Sequence, residues 1–222
     1  MTDVFNLSGM YEGYDLSLFG ETRVFELRNL TGTSLYIDED SEEKLKKIAE
    51  GSESVVHLID IGDYHYLTRI CLYDIREAFD LLVFDNHDDS QEPMIEGLKS
   101  CGSWIRDAME ELPDRLSAVK LIRGKDRISM LKGSFDSKRQ LYISIDKDVF
   151  STKVCPTDWD QGNMEIKELK EMLLSEGKGR KIIGFDICGG VKGDGISNRE
   201  EVLKNQDTDL ELIGIYKELI SE

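Results

Sequence analysis

Leu141-Tyr142-Ile143-Ser144-Ile145-Asp146-Lys147-Asp148-Val149-Phe150 packs a short apolar run against two carboxylates one residue apart. A run of that length reads as a buried strand, and the acids at its end place a polar edge there. The same arrangement occurs twice more. Residues 55–61 lead into Gly62-Asp63-Tyr64-His65, and residues 81–84 lead into Asp85-Asn86-His87-Asp88-Asp89. Two further apolar runs cover 116–122 and 182–185, and amphipathic segments at 66–75, 104–112, 164–174 and 210–220 lie between or after them. Continuous apolar strands alternating with helices define a parallel sheet covered on both faces. The expected fold is α/β, a three-layer α/β/α sandwich with a mostly parallel sheet.

The first forty residues alternate apolar and polar positions between glycine-containing turns, which predicts short strands around Val4, Val24-Phe25 and Leu35 to Ile37. Asp38-Glu39-Asp40-Ser41 has the character of a helix start, and Gly51 of its end. No repeat or linker divides the chain, so residues 1–222 are expected to form a single domain.

Composition narrows the function. Lys and Arg number 28 against 45 Asp and Glu, a net charge of −17, which disfavours nucleic acid and anionic membrane surfaces and favours cations. The apolar runs are far too short to span a bilayer, and the N-terminus lacks the basic start and long apolar stretch of a secretory signal. Cys71, Cys101, Cys155 and Cys188 are widely spaced with no C-x-x-C pair, as expected of reduced, buried thiols in the cytoplasm.

In an open parallel sheet, ligands bind beyond the carboxyl ends of the strands. His65, Asp85, His87, Asp89, Asp146 and Asp148 all fall there. Asp85, His87 and Asp89 are spaced i, i+2 and i+4, so an extended segment projects them to one side. Four carboxylates packed together without cations repel one another and raise each other's pKa values. Divalent metal resolves the conflict. Oxygen and imidazole ligands without a thiolate point to Mn²⁺, and six ligands suit two ions bridged by carboxylates. His57, inside an apolar run, reads as a core histidine.

Asp-x-His-x-Asp, a preceding Gly-Asp-x-His and a later Ser-Ile-Asp-x-Asp-Val resemble the arginase, agmatinase and formimidoylglutamase group of binuclear manganese ureohydrolases. The resemblance runs in order over residues 55–190. It implies an arginase-like fold with two Mn²⁺ per chain. His65 and Asp89 would hold one ion, His87 and Asp148 the other, and Asp85 and Asp146 would bridge. It further implies a metal-bridging hydroxide as nucleophile, Asp89 as the catalytic proton carrier, and cleavage of a C–N bond in a guanidino, amidino or related amide substrate. A small cationic or amide-containing molecule is the implied partner, and a homo-oligomer is plausible in such a family.

The chain also departs from that pattern. Tyr64 is inserted before His65, so Asp63 is a competing ligand. Where the family places a guanidinium-gripping Glu, in Asp-Ile-x-Glu, this chain has Asp186-Ile187-Cys188-Gly189. The family's substrate-side histidine is missing, with Ser100-Cys101-Gly102-Ser103-Trp104 in its region. Arginine itself is therefore a poor substrate candidate. Asp158 or Asp160 could stand in for the missing Glu, and the glycine-rich stretch 189–195 reads as a rim over the site. Alternative readings are a catalytically inactive metal-binding protein of this type and a single-zinc, deacetylase-like hydrolase.

Overall fold

The computed structural model describes residues 1–93, 95, 97–193 and 198–221. Ten strands are present among them: β1 (Thr2–Asn6), β2 (Thr22–Glu26), β3 (Tyr36–Ile37), β4 (Val56–Leu58), β5 (Phe79–Phe84), β6 (Lys99–Ser100), β7 (Leu116–Ile122), β8 (Ile128–Lys132), β9 (Gln140–Asp146) and β10 (Ile182–Cys188). Five α-helices accompany them: α1 (Glu39–Glu50), α2 (Leu67–Cys71), α3 (Trp104–Glu111), α4 (Ile166–Gly177) and α5 (Arg199–Ser221).

Eight strands form one sheet in the order β2-β1-β4-β10-β9-β5-β7-β8, and β3 pairs with β6 separately. Every neighbouring pair in the large sheet is parallel except β7 with β8. The central strands are apolar throughout because both faces are covered: Phe79 to Phe84 are all buried. Phe185 and Asp186 are consecutive on β10 and so point to opposite faces. On the Phe185 side the ring of Tyr216, from α5, lies 5.1 Å away. On the other side, Ser144 (in register with Asp186) meets Thr68 of α2 at 3.1 Å. The result is the three-layer α/β/α arrangement expected from the sequence.

The N-terminal strands do more than expected. β1 inserts between β2 and β4, so this segment extends the main parallel sheet. Helix α1 begins and ends where its caps predict: the Asp38 carboxylate accepts from Ser41 N at 2.8 Å, and Gly51 closes the last turn. Two boundaries differ from the apolar pattern. β4 ends at Leu58, because Asp60 takes a left-handed backbone, φ 76°, that ends the extended run. Helix α5 starts eleven residues before its apolar stripe, at Arg199, because buried polar residues occupy its inner face. Asn205 donates to Pro156 O at 2.8 Å, and Gln206 Oε1 accepts from Asp15 N at 2.6 Å. Strand β8 was not expected; its Ile128 and Met130 are exposed on an edge, so it lacks a buried strand's signature.

Among the described residues, no helix is long and apolar enough to cross a membrane.

Candidate metal centre

The sheet order gathers the site. Chain order runs β4, β5, β9, β10, but in space β10 and β9 lie between β4 and β5. The loops leaving the carboxyl ends of four consecutive strands therefore converge on one crevice. His65 follows β4, Asp85 follows β5, and Asp146 ends β9.

Both acidic motifs are built by the same turn. Asp85 Oδ1 accepts from His87 N at 2.6 Å, and Asp146 Oδ1 accepts from Asp148 N at 2.9 Å. Each aspartate thus binds the backbone two residues on and brings the i+2 side chain round beside its own. The extended projection expected for residues 85–89 does not occur. Strand β5 stops at Phe84, and Asp89 sits at φ 37°, so bends rather than alternation bring the three side chains together.

Two overlapping ligand groups result. Single ligand atoms of His65, Asp85 and Asp89 lie within 4.8 Å of one another, as do those of Asp85, His87 and Asp148. His65 Nδ1 is 3.1 Å from Asp85 Oδ2, 3.3 Å from Asp89 Oδ2 and 3.5 Å from Asp146 Oδ2. His87 Nδ1 is 2.6 Å from Asp148 Oδ2 and 3.7 Å from Asp85 Oδ1. All six sequence-identified side chains meet in one place. Asp63 does not join them: its carboxylate accepts from Ser34 Oγ at 2.9 Å and from Trp159 Nε1 at 3.1 Å. The short helical turn at Gly62–Tyr64 absorbs the inserted Tyr64 and delivers His65 to the cluster.

The electrostatics favour a cation. Burial, then the neighbouring Asp148 and Asp85, push the Asp146 carboxyl up to about 8; burial and Asp85 push Asp148 up to about 6. The Asp148 and Asp85 carboxylates raise the His87 imidazole to about 11. For His65, burial opposes the charged ring, yet the adjacent Asp85 and Asp89 carboxylates outweigh it and raise the imidazole well above its ordinary value. Despite this crowding, His65 Nδ1 and Asp85 Oδ2 are buried without a hydrogen-bond partner. His65 Nε2 is engaged by Ser144 Oγ at 2.9 Å, so a proton on Nε2 leaves the Nδ1 lone pair facing the carboxylates. Orphaned nitrogen and oxygen atoms aimed at one point, with an oriented imidazole, fit divalent metal.

A pocket of about 240 Å³ opens over the cluster. Asp85, His87, Asp89, Asp146 and Asp148 form its floor, and Leu35, Tyr36, Pro93 and Trp159 form apolar walls. Gly62 is required beneath Trp159, since a Cβ there would stand 2.7 Å from the indole. Ser100 to Ser103 line one side, as their position in the sequence suggested. Trp104 behind them donates from Nε1 to Asp89 Oδ2 at 2.8 Å. Tyr36 comes from β3 and Pro93 and Trp159 from two loops distant from it in the chain, and no spacing rule in the sequence connects them.

The absent Glu has a structural counterpart. Gly189 sits at φ 90°, and a Cβ there would stand 2.5 Å from Asp146 Oδ1, so this backbone leaves no room for a side chain. Asp158 and Asp160 do not replace it. Asp158 Oδ2 accepts from Lys192 N at 2.8 Å and ties its loop to the glycine-rich rim, and neither residue lines the pocket. Asp194 and Gly195 of that rim lie outside the described residues. His57 is satisfied as expected, with Nδ1 2.7 Å from Asp186 Oδ1 and Nε2 3.1 Å from Ser54 O. All four cysteines are free thiols. Cys188, though, lies at the cluster, within 4.8 Å of His65 and Asp146 ligand atoms, where the sequence suggested only a buried core thiol.

No protein-family model matches the sequence. An uncharacterized protein from Thermotoga maritima is 27% identical over 197 residues, covering 84% of this chain and 78% of that protein. Among solved structures, proclavaminate amidino hydrolase from Streptomyces clavuligerus is similar over 100% of this chain and 92% of its own, with TM-score 0.65 and 12% identity. A triple mutant of a T. brucei arginase-like protein, bound with Mn²⁺, is similar over 98% of this chain and 90% of its own, with TM-score 0.61 and 13% identity. The chain shares the arginase-like α/β fold of these structures.

Proposed function

We propose that this protein is a metal-dependent hydrolase of the ureohydrolase type, cleaving a C–N bond of an amidino, guanidino or related amide substrate. The observation that carries the reading is the pair of ligand groups sharing Asp85 beneath an open pocket. The amidino hydrolase and the Mn²⁺-bound arginase-like protein of the same fold support it. His65, Asp85, His87, Asp89, Asp146 and Asp148 would hold two divalent ions. Such a pair supplies Lewis acidity and lowers the pKa of bound water.

The protein's own groups do the rest. Ser144 fixes the His65 ring, and Trp104 holds Asp89 Oδ2, leaving Asp89 Oδ1 to carry a proton toward the leaving nitrogen. Trp159 and Tyr36 can take the flat face of an amidine or aryl group. Beyond the ligands, the one further carboxylate among the described residues lining the pocket is Glu92, which is 83% exposed and pairs with Arg106 at 3.1 Å. Among the described residues, no buried carboxylate beyond the ligands lines the pocket, which argues against arginine and toward a substrate whose remaining part is neutral.

Elemental analysis after purification in Mn²⁺ or Zn²⁺, with ammonia and urea release from a panel of amidines, guanidines and amides, tests the reading. Expected are about two ions per chain and turnover of at least one neutral-bodied compound, with both lost in His87→Ala. Wild-type protein retaining no metal would sink it. A non-catalytic metal protein is the second reading, favoured by the closed backbone at Gly189; it predicts the same metal content without turnover.

A further inference from the structure

The row of side chains that forms the site does not end with its carboxylates. Phe84 of β5 is in register with Ile145 of β9, so Asp85 and Asp146 follow as neighbours. Asp146 is in turn in register with Cys188 of β10. In-register residues on adjacent parallel strands project to the same side, so the line through the two proposed bridging aspartates continues into a thiol.

The surroundings of that thiol match a donor atom. Cys188 is fully buried, and its Sγ donates to Ile61 O at 3.6 Å, a weak hydrogen bond that a cation can replace. Its sulfur, a His65 ring nitrogen and an Asp146 oxygen lie within 4.8 Å of one another, a spacing one ion can bridge. Of the two His65 nitrogens, Nε2 is taken by Ser144; Nδ1 is buried, without a hydrogen-bond partner, and lies 3.5 Å from Asp146 Oδ2.

We propose that Cys188 is a metal ligand, giving its thiolate to the ion held by His65 and Asp146, so that the centre prefers a borderline-soft divalent cation such as Zn²⁺, Co²⁺ or Fe²⁺ over Mn²⁺. The inference rests on the metal-centre reading above and deepens it. On binding, the S–H bond breaks, its proton passes to bulk solvent, and sulfur's electron pair forms the bond to the cation. Soft thiolate selects against manganese, whose site would otherwise be all oxygen and imidazole.

The test is cobalt titration of metal-free wild-type protein, followed by absorption. Expected are ligand-field bands together with a thiolate-to-cobalt charge-transfer band in the near ultraviolet. Cys188→Ser should lose the charge-transfer band, keep the ligand-field bands, and lose about tenfold or more of its Zn²⁺ over Mn²⁺ preference. Cys101→Ser, which alters another thiol lining the pocket, should keep both bands. Cadmium NMR of the unaltered protein gives the same answer without relying on a variant's folding: a resonance in the sulfur-ligated range is expected. Ligand-field bands without charge transfer, or a cadmium signal in the all-oxygen and nitrogen range, would overturn the Cys188 assignment and leave the metal centre standing. Failure of the wild-type chain to bind Co²⁺, Cd²⁺ or Mn²⁺ would overturn the metal centre, and the assignment with it.

Discussion

Lys147 Nζ lies 2.7 Å from Asp209 Oδ1, and both side chains are 1% exposed. The lysine stands between Asp146 and Asp148 in sequence, yet its side chain leaves the cluster for helix α5. Tyr14 donates to the other Asp209 oxygen at 2.8 Å, which joins the N-terminal segment to the same pair. The turn presenting two of the proposed ligands is therefore anchored from behind by a buried ion pair.

Removing one partner strands the other. Asp209→Ala should cost about 3–5 kcal/mol in urea unfolding, because a buried ammonium loses its counterion. The double variant Lys147→Met, Asp209→Leu should recover most of that loss, since an apolar pair avoids the desolvation cost. If Asp209→Ala unfolded at the wild-type midpoint, the pair would not hold the turn.

The titration of the cluster has a defined sign. With Asp146 raised to about 8, Asp148 to about 6 and His87 to about 11, the folded metal-free protein binds more protons than the unfolded chain across the neutral range. For the carboxyls this stability is full below the ordinary value of 3.8 and is lost as pH rises through the folded values. The histidine adds in the same direction from its ordinary 6.5 upward. Melting temperature of the metal-free protein should therefore fall between about pH 5.5 and pH 8.5. The increase produced by saturating divalent metal should grow over the same interval, because the ion displaces those protons. A metal-free melting curve independent of pH would show that the carboxylates are not crowded in solution.

Placing at position 189 the glutamate found in the ureohydrolases that the sequence resembles should fail. At φ 90°, with an added Cβ 2.5 Å from Asp146 Oδ1 and 3.0 Å from Lys147 N, Gly189→Glu must either move the β9 end or strain its own backbone. The expected result is a loss of about 1–3 kcal/mol of stability and a drop in bound metal, with no gain in guanidinium affinity. Tighter binding of agmatine or arginine by Gly189→Glu would contradict this.

The chain declares its fold through particular residues. The apolar runs ending at Phe84 and Asp146 are buried on both faces, so burial wrote them as unbroken hydrophobic stretches. Asp38 and Gly51 mark α1 because a cap is a local contact between residues near in sequence. The proposed ligands were readable for a related reason: each lies at the carboxyl end of a strand or in the segment that leaves it. What escaped notice depends on partners distant in the chain. The inner face of α5 is polar because Asn205, Gln206 and Asp209 bond to residues near 156, 15 and 147. Cys188 resembled any buried thiol until strand register set it beside Asp146. Leu35, Pro93 and Trp159 form pocket walls only through the loops that bring them together.

Ser144 should control metal affinity without touching metal. It sits two residues before Asp146 on β9, on the same face, and its hydroxyl lies 2.9 Å from His65 Nε2 and 3.1 Å from Thr68 Oγ1. An imidazole whose Nε2–H is held there presents Nδ1 to the carboxylates with its ring and tautomer fixed. In Ser144→Ala that anchor goes, and a buried nitrogen is left without its acceptor. Affinity for the ion proposed at His65 should fall by roughly 10- to 100-fold, the range found when a ligand histidine loses its outer partner. Ser144→Thr keeps a hydroxyl and should retain most of the affinity, whereas Thr68→Val removes only the second contact and should change it little. Competition with a chromophoric chelator measures all three. Equal affinities for wild type and Ser144→Ala would mean that His65 is oriented by something else, and its place among the ligands would lose its structural support.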